Sequence, residues 1–459
     1  MNDVQPILVR RPGPGTPVTV VGLARSGVAA AHWLLQLGAF VRVTEKAHTP
    51  PLKAAAEELT AAGALVELGR HTRDFIQGSQ LLVVSPGVPV EAQPIQWALG
   101  DGIPVVSELE LGSWYAPGTF VAVTGSNGKS TVVTLVGEIL REAGKEVVVC
   151  GNIGQPLCGV LDQIKPSTIV VLEVSSFQLE TSLSFHPTIA CVLNVTDNHL
   201  DRHRSFAQYK QAKAKLFAYQ GPRGFGLLNA DDPGCASMRR YVRGKTVFFS
   251  RTRQVIGACA VGDWLRLTLP WISGPICRRD MLPPGIHHEE NALAAACLSG
   301  LLGVKPEISG QVLRRFRGLP HRQEVISTLQ GITFVNDSKS TTVASTLRAI
   351  QAAPGPVILI AGGRDKGSDF RKLTAYAKKL KGAVLIGEDG RKIASCLKGK
   401  VPLSLAEGLE EAVQVAFGMA HRGEWVLLSP MCTSFDMFRD FEERGERFVE
   451  AVKGLGCAP

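Results

Sequence analysis

The sequence contains no C-x-x-C pair among its 10 cysteines. That absence argues against a thiolate zinc site or a disulfide framework and for a reducing compartment. No apolar run approaches membrane-spanning length, and Met1 to Arg11 hold no apolar signal core. Short-period repeats and low-complexity tracts are missing too. Aromatics are sparse at 6%, and although the net charge is +9, Lys and Arg are spread along the chain with no basic block standing apart. Nucleic acid is therefore not an expected partner; phosphorylated small molecules explain a mild positive balance as well. What remains is the expectation of a cytoplasmic chain without membrane insertion, of ordinary globular composition at 45% hydrophobic and 20% charged. A length of 459 residues favours two to four domains.

The first segment alternates strand and helix signals. Val18 to Val21 reads as a strand that meets Gly22. A helical pattern follows through Ala29, Trp33 and Leu37, then a second strand from Phe40 to Val43. Leu81 to Val84 is another apolar run, ended by Ser85-Pro86-Gly87. This alternation predicts a parallel, doubly wound sheet. The turn Gly22 to Gly27 sits where a dinucleotide fingerprint would, but Ala24 replaces the glycine that normally lets backbone approach a pyrophosphate. Glu45, after the second strand, could take a ribose hydroxyl. Use of NAD or FAD is thinly supported; binding one nucleotide diphosphate is physically reasonable.

The second segment carries the strongest signal. Phe120 to Val123 is an apolar strand running into Thr124-Gly125-Ser126-Asn127-Gly128-Lys129-Ser130-Thr131. Val132, Leu135, Val136, Ile139 and Leu140 then fall on one helical face, and Gly144 lies where the helix should stop. Such a turn aims consecutive N–H groups at a polyphosphate. The helix N-terminus adds partial positive charge, Lys129 a full one, and Ser130 an oxygen for Mg²⁺. The glycine usually found five residues before the Gly-Lys pair is missing, with Val123 in its place, so the loop is a shortened variant.

Three further groups are candidates around it. Glu173 ends the apolar strand Ile169 to Leu172 and could hold Mg²⁺ directly or through water. His199 follows the strand Ile189 to Leu193; imidazole is an uncommon Mg²⁺ ligand and would also suit Mn²⁺. Lys213 lies with Lys210 and Lys215 on a basic helix, and pattern alone does not choose among the three. Together these parts describe phosphoryl transfer without naming the acceptor. From Val247 to Leu269 the β patterning is weak, and an Ala-rich helix begins around Glu289. A third α/β segment follows. Its strands Ile332 to Val335, Val357 to Ile360 and Trp425 to Leu428 are each followed by polar residues, where open parallel sheets bind ligands.

Seven stretches, taken in order, resemble the motifs of the Mur ligase family over nearly the whole chain. They are Gly125 to Thr131, Gly151 to Gly154, Glu173 to Glu180, Asn194 to Asp201, Gly318 to Arg322, Asp337 to Thr341 and Ser429 to Phe441. The first segment and the Asp-Ser-Lys and Ser-Pro motifs look most like the D-glutamate-adding branch. The resemblance implies an α/β fold of three domains. Residues 1–114 would form a Rossmann-like domain for the uridine nucleotide, 115–317 a P-loop ATPase-like parallel sheet, and 318–459 a Rossmann-like domain for the amino acid. It implies ATP-driven addition of D-glutamate to UDP-N-acetylmuramoyl-L-alanine through an acyl phosphate, in peptidoglycan precursor synthesis, by a monomer.

Carried over residue by residue, the resemblance puts Lys129 on the γ-phosphate and Ser130, Glu173 and His199 around two Mg²⁺ ions. Lys213 matches a lysine that becomes carbamylated. Asn152, Arg25 and Ser26 would touch the nucleotide substrate. Asn291, Arg322 and Asp337 would hold the nucleoside end of ATP. Thr341, Lys366, Ser434 and Phe441 would shape the D-glutamate pocket, Lys366 pairing with a carboxylate. Departures are His288, where relatives often carry Asn, Glu45-Lys46 near the uracil subsite, and Thr342 after the Asp-Ser-Lys motif. Two alternatives stay open: another amide ligase of this type, L-alanine-adding or folylpolyglutamate synthase-like, or a P-loop module without catalysis.

Overall fold

The computed structural model describes residues 9–196, 205–282, 286–316, 318–365 and 367–456. His199 and Lys366 lie outside the described residues. The chain forms two compact units, Met1–Phe316 and Arg317–Pro459.

The first unit opens with a five-stranded parallel sheet. Its strands are β1 (Pro17–Val21), β2 (Phe40–Glu45), β3 (Leu65–Leu68), β4 (Leu81–Val84) and β5 (Val105–Ser107), in the order β3-β2-β1-β4-β5. All four residues of β4 are buried, as expected of a strand covered on both faces, whose sequence is a continuous apolar run. Helix Arg25–Gln36 starts directly after the Gly22 turn.

The larger sheet of this unit has nine strands: β6 (Thr119–Thr124), β7 (Val147–Gly151), β8 (Ile169–Glu173), β9 (Ile189–Val192), β10 (Phe225–Asn229), β11 (Lys245–Ser250), β12 (Gly257–Val261), β13 (Trp264–Leu269) and β14 (Ile272–Arg278). Their order is β14-β13-β12-β11-β10-β9-β6-β8-β7. β6 to β12 run parallel, and β13 and β14 add an antiparallel edge. The weakly patterned stretch from Val247 is thus three strands and the start of a hairpin. β13 alternates exposed and buried residues as a half-solvated edge does.

One apolar core runs under both sheets, joining Val18, Val20 and Leu34 to Ala122, Leu172 and Phe217. Helix Glu108–Ser113 fastens them. The buried Glu110 carboxylate accepts N–H groups of Leu183, Ser184 and Phe185 at 2.9–3.0 Å, the Trp114 indole N–H at 3.0 Å, and the Ser184 hydroxyl.

The second unit has six strands: β15 (Glu324–Leu329), β16 (Ile332–Asn336), β17 (Val357–Gly362), β18 (Leu380–Ile386), β19 (Leu403–Leu405) and β20 (Trp425–Met431), in the order β15-β16-β20-β17-β18-β19. β15 alone is antiparallel to its neighbour. Separate apolar clusters fill the two faces of this sheet. Among the described residues, no helix is long and apolar enough to cross a membrane, and nine of the cysteines are free thiols, all but Cys396 buried.

Candidate active site

β6 delivers the turn Gly125–Gly128 to the C-terminal edge of the nine-stranded sheet, and helix Lys129–Glu142 leaves from it. The turn closes through Gly128, whose φ of 82° is a left-handed conformation that favours glycine. A Cβ at Gly128 would come within 2.4 Å of Asn291 Oδ1, so helix Ile286–Leu301 sets Asn291 directly against the loop. The segment after β9 holds the loop from the other side. Asn194 Oδ1 accepts from Asn127 N–H at 2.9 Å, Ser126 Oγ accepts from Thr196 N–H at 3.0 Å, and Ser126 Oγ lies 3.1 Å from the Tyr209 hydroxyl.

Two ammonium groups meet on one carbonyl. Lys129 Nζ donates to Gly125 O at 2.9 Å, and Lys213 Nζ donates to the same oxygen at 3.0 Å. Lys213 also reaches Thr124 Oγ1 at 3.3 Å and sits 4.6 Å from the centre of the Tyr209 ring. It is 1% exposed. Burial first, and the Lys129 charge second, push its amine well below the usual lysine range. Lys210 and Lys213 lie in helix Phe206–Ala214 and Lys215 just after it; of the three only Lys213 is buried.

β8 pairs directly with β6, Val123 opposite Glu173, so Glu173 stands on the same sheet edge as the loop. The next strand supports it. Asn152 Nδ2 donates to Glu173 Oε1 at 2.8 Å, and Asn152 N–H donates to the Glu173 carbonyl at 2.8 Å. Gly151, at φ 106°, permits that approach, because a Cβ there would sit 2.5 Å from the Glu173 carbonyl. Glu173 Oε2 is buried and has no hydrogen-bond partner among the described residues. A buried carboxylate oxygen left over in this way fits a divalent cation.

On the smaller sheet, Arg25 and Ser26 open the helix after the Gly22 turn. Glu45, read from sequence as able to take a ribose hydroxyl, ends β2 and is also engaged within the fold. Its carboxylate accepts the N–H groups of Leu23 at 3.0 Å and Ala47 at 2.8 Å. His288 stacks on His287 at 4.1 Å, and burial with the neighbouring ring brings its pKa down to about 4.

In the second unit, Asp337 follows β16 and is buried. It accepts from Ser429 Oγ at 2.9 Å and Gln323 N–H at 3.2 Å, and burial nevertheless raises its pKa to about 6. Arg322 lies between His321 and Gln323, both at positive φ (61° and 47°), a strained backbone at a motif residue. Ser338 Oγ donates to the Phe441 carbonyl at 2.8 Å, and Met431 N–H to the Ser340 carbonyl at 3.0 Å. These bonds draw the segment carrying Thr341 to those carrying Ser434 and Phe441. Thr342 caps helix Val343–Ala352 reciprocally with Ser345, a task Asn at that position would also perform.

Arg444 was not singled out by sequence pattern. It is 1% exposed. It donates to Ser338 Oγ at 3.0 Å, Ser338 O at 2.8 Å and Cys432 O at 3.3 Å, and burial pulls its pKa down to about 10. Its place three residues after Phe441, facing inward from helix Phe441–Leu455, is the signal that could have found it. Tyr209, holding Ser126, was passed over too.

Three family models match: "Mur ligase MurD-like, N-terminal domain" over residues 16–107, "Mur ligase middle domain" over 123–299 and "Mur ligase, glutamate ligase domain" over 321–432. A UDP-N-acetylmuramoylalanine–D-glutamate ligase of Pelotomaculum thermopropionicum is 41% identical over 443 residues, covering 95% of this chain and 97% of that protein. One of Solibacter usitatus is 41% identical over 446 residues, covering 96% and 98%. Among solved structures, the UDP-N-acetylmuramate-alanine ligase of Thermotoga maritima shares the fold at a TM-score of 0.58 and 18% identity, covering 96% of this chain and 99% of that one. A pseudomurein peptide ligase type C of Methanothermus fervidus does so at 0.55 and 18%, covering 96% and 100%. The chain belongs to the Mur ligase family.

Proposed function

We propose that this protein joins D-glutamate to UDP-N-acetylmuramoyl-L-alanine at the expense of ATP, releasing ADP and phosphate, in the synthesis of peptidoglycan precursor. The reading rests above all on the loop Gly125–Thr131, where Lys129 and the buried Lys213 converge on the Gly125 carbonyl beside Glu173. The names of the relatives supply the acceptor and the amino acid. The proposed division of labour is nucleotide substrate on residues 1–114, ATP on 115–317 and amino acid on 318–459, in a cytoplasmic monomer.

A carboxylate is a poor electrophile. Transfer of the γ-phosphoryl to the L-alanine carboxylate makes an acyl phosphate, with ADP as the leaving group. The D-glutamate amine then attacks the acyl carbon, and phosphate departs with the cleaved C–O bond. Lys129 would neutralise charge on the γ-phosphoryl, and the backbone of Ser126 to Thr131 would cradle the polyphosphate. Ser130, Glu173 and His199 would hold Mg²⁺, one ion or two, with Mn²⁺ an acceptable substitute. The ion would supply Lewis-acid neutralisation of phosphate charge. Asn152 would orient Glu173 and meet the muramoyl part, with Arg25 and Ser26 at the uridine end. Asn291, Arg322 and Asp337 would serve the nucleoside of ATP, and Thr341, Lys366, Ser434 and Phe441 the D-glutamate.

Lys213 has the chemistry for a carbamate. Its depressed basicity leaves an amine able to attack CO₂, forming an N–C bond and losing one proton. The product exchanges a cation beside Lys129 for an anionic oxygen ligand.

Phosphate release in a mixture of protein, ATP, Mg²⁺, UDP-N-acetylmuramoyl-L-alanine and glutamate tests this reading. Turnover is expected with the D isomer; activity with the L isomer only would overturn it. Lys129→Ala and Lys213→Ala are each expected to lower turnover by at least about 10³-fold. Partial rescue of Lys213→Ala by short carboxylic acids would mark the carbamate, and full activity in either variant would remove that lysine from the mechanism.

A further inference from the structure

The nine-stranded sheet has a second edge, opposite the phosphate loop. β6, β9, β10 and β11 are parallel, so their N-terminal ends gather at the edge remote from Gly125. Between Tyr219 and Arg279 the chain that enters this edge is depleted of acid, while Glu146 before β7 and Glu307 beside Gly274 lie at its flanks. Tyr219 to Ala230, Pro233 to Gly262 and Trp264 to Arg279 contain no Asp or Glu.

The turns entering β10 and β11 carry Arg223, Arg239, Arg240, Arg243 and Lys245, all exposed. The fold brings them together. Phe225 pairs with Lys245, and Lys245 N–H donates to Gly224 O at 2.8 Å. A Cβ on Gly244 would lie 2.1 Å from that oxygen. Arg223 and Arg243 therefore leave two backbones in contact. Two of the cations lean on rings: Arg240 sits over Tyr241 at 4.8 Å, and Lys245 over Phe225 at 5.9 Å. The tight β13–β14 turn brings Trp271, 52% exposed, to 5.7 Å from the same Phe225 ring.

We propose that this edge is a peripheral docking surface for an anionic phospholipid membrane, with the cations facing headgroups and Trp271 seated at the interface. Charge complementarity is the first argument: five exposed cations, contributed by acid-free stretches, gather where β10 and β11 begin. The second is the aromatic. An indole exposed at a turn among arginines is amphipathic in the way the headgroup layer favours. A single exposed ring offers no succession of stacking faces for a nucleic-acid strand. Nothing here inserts; the contact is reversible, lies away from the phosphate loop and does not depend on the function proposed above.

Flotation of the full chain with phosphatidylcholine vesicles, with and without phosphatidylglycerol, tests it. Binding is expected only to the phosphatidylglycerol vesicles, and it should weaken as salt is raised. Arg239→Glu/Arg240→Glu/Arg243→Glu is expected to lower partitioning by about a hundredfold or more, and Trp271→Ala to lower it further at high salt. Unchanged thermal unfolding of these variants would show that the fold survives. Equal binding to neutral vesicles, no binding by the parent chain, an undiminished triple variant, or preferential capture of a single-stranded oligonucleotide would each overturn the proposal.

Discussion

Single buried groups set much of the chemistry of this chain. Glu108 is the clearest case outside the site. Its Oε1 accepts from Cys158 N–H at 2.7 Å, while Oε2 is buried with no partner among the described residues. Burial raises its pKa from 4.5 to about 7, against the pull of the Cys158 and Leu157 hydrogen bonds. The folded chain thus binds this proton more tightly than the unfolded chain. The stability it confers is complete below about pH 4.5 and is lost as pH rises through about 7, on the order of 3 kcal/mol in all. Glu108→Gln, neutral throughout, is expected to flatten that slope and to exceed the parent in stability near pH 8, as urea unfolding across pH would show. Parallel pH profiles for the two proteins would contradict it. Lys213 is the matching case inside the site. Its amine is driven toward neutrality by the same desolvation, beside a second ammonium that reinforces it.

At the level of elements, helix Glu108–Ser113 does what neither sheet of the first unit could do alone. Glu110 ties the loop Leu183–Phe185 to it through three N–H donors and a hydroxyl, and accepts the Trp114 indole N–H besides. Glu110→Ala would leave those donors buried without an acceptor. We expect a loss of at least about 3 kcal/mol in denaturant unfolding, and a change below about 1 kcal/mol would contradict the fastening role. Elements differ in how plainly the sequence announces them. β8 was legible because it is an unbroken apolar run that ends in a carboxylate, and the loop after β6 because its glycines and lysine need particular backbone. Lys213 was not, because a helix with two lysines in nine residues and a third at its C-cap has no apolar stripe to orient it; only packing against Tyr209 and Thr124 selects one. Glu45 shows what sequence leaves out: its position at the end of β2 suits a ligand, but that its carboxylate also holds the Leu23 and Ala47 N–H groups is visible only in the fold. Arg239 to Lys245 passed as scattered charge until β10 and β11 brought Arg223 alongside.

Over the whole molecule, three sheets sort into two compact units, because the first two share a core while the third fills both of its own faces. A fragment spanning 318–459 is therefore expected to fold unaided, with a cooperative thermal transition and native-like helix and strand content by circular dichroism. A fragment that binds hydrophobic dyes and melts without cooperativity would show that its core is incomplete.

The account as a whole claims that ATP activates a carboxyl group for attack by an amine. The most direct measurement uses UDP-N-acetylmuramoyl-L-alanine labelled with ¹⁸O in the alanine carboxylate. If an acyl phosphate forms, one labelled oxygen leaves with phosphate for each amide made. Product formed with phosphate free of label would contradict the account.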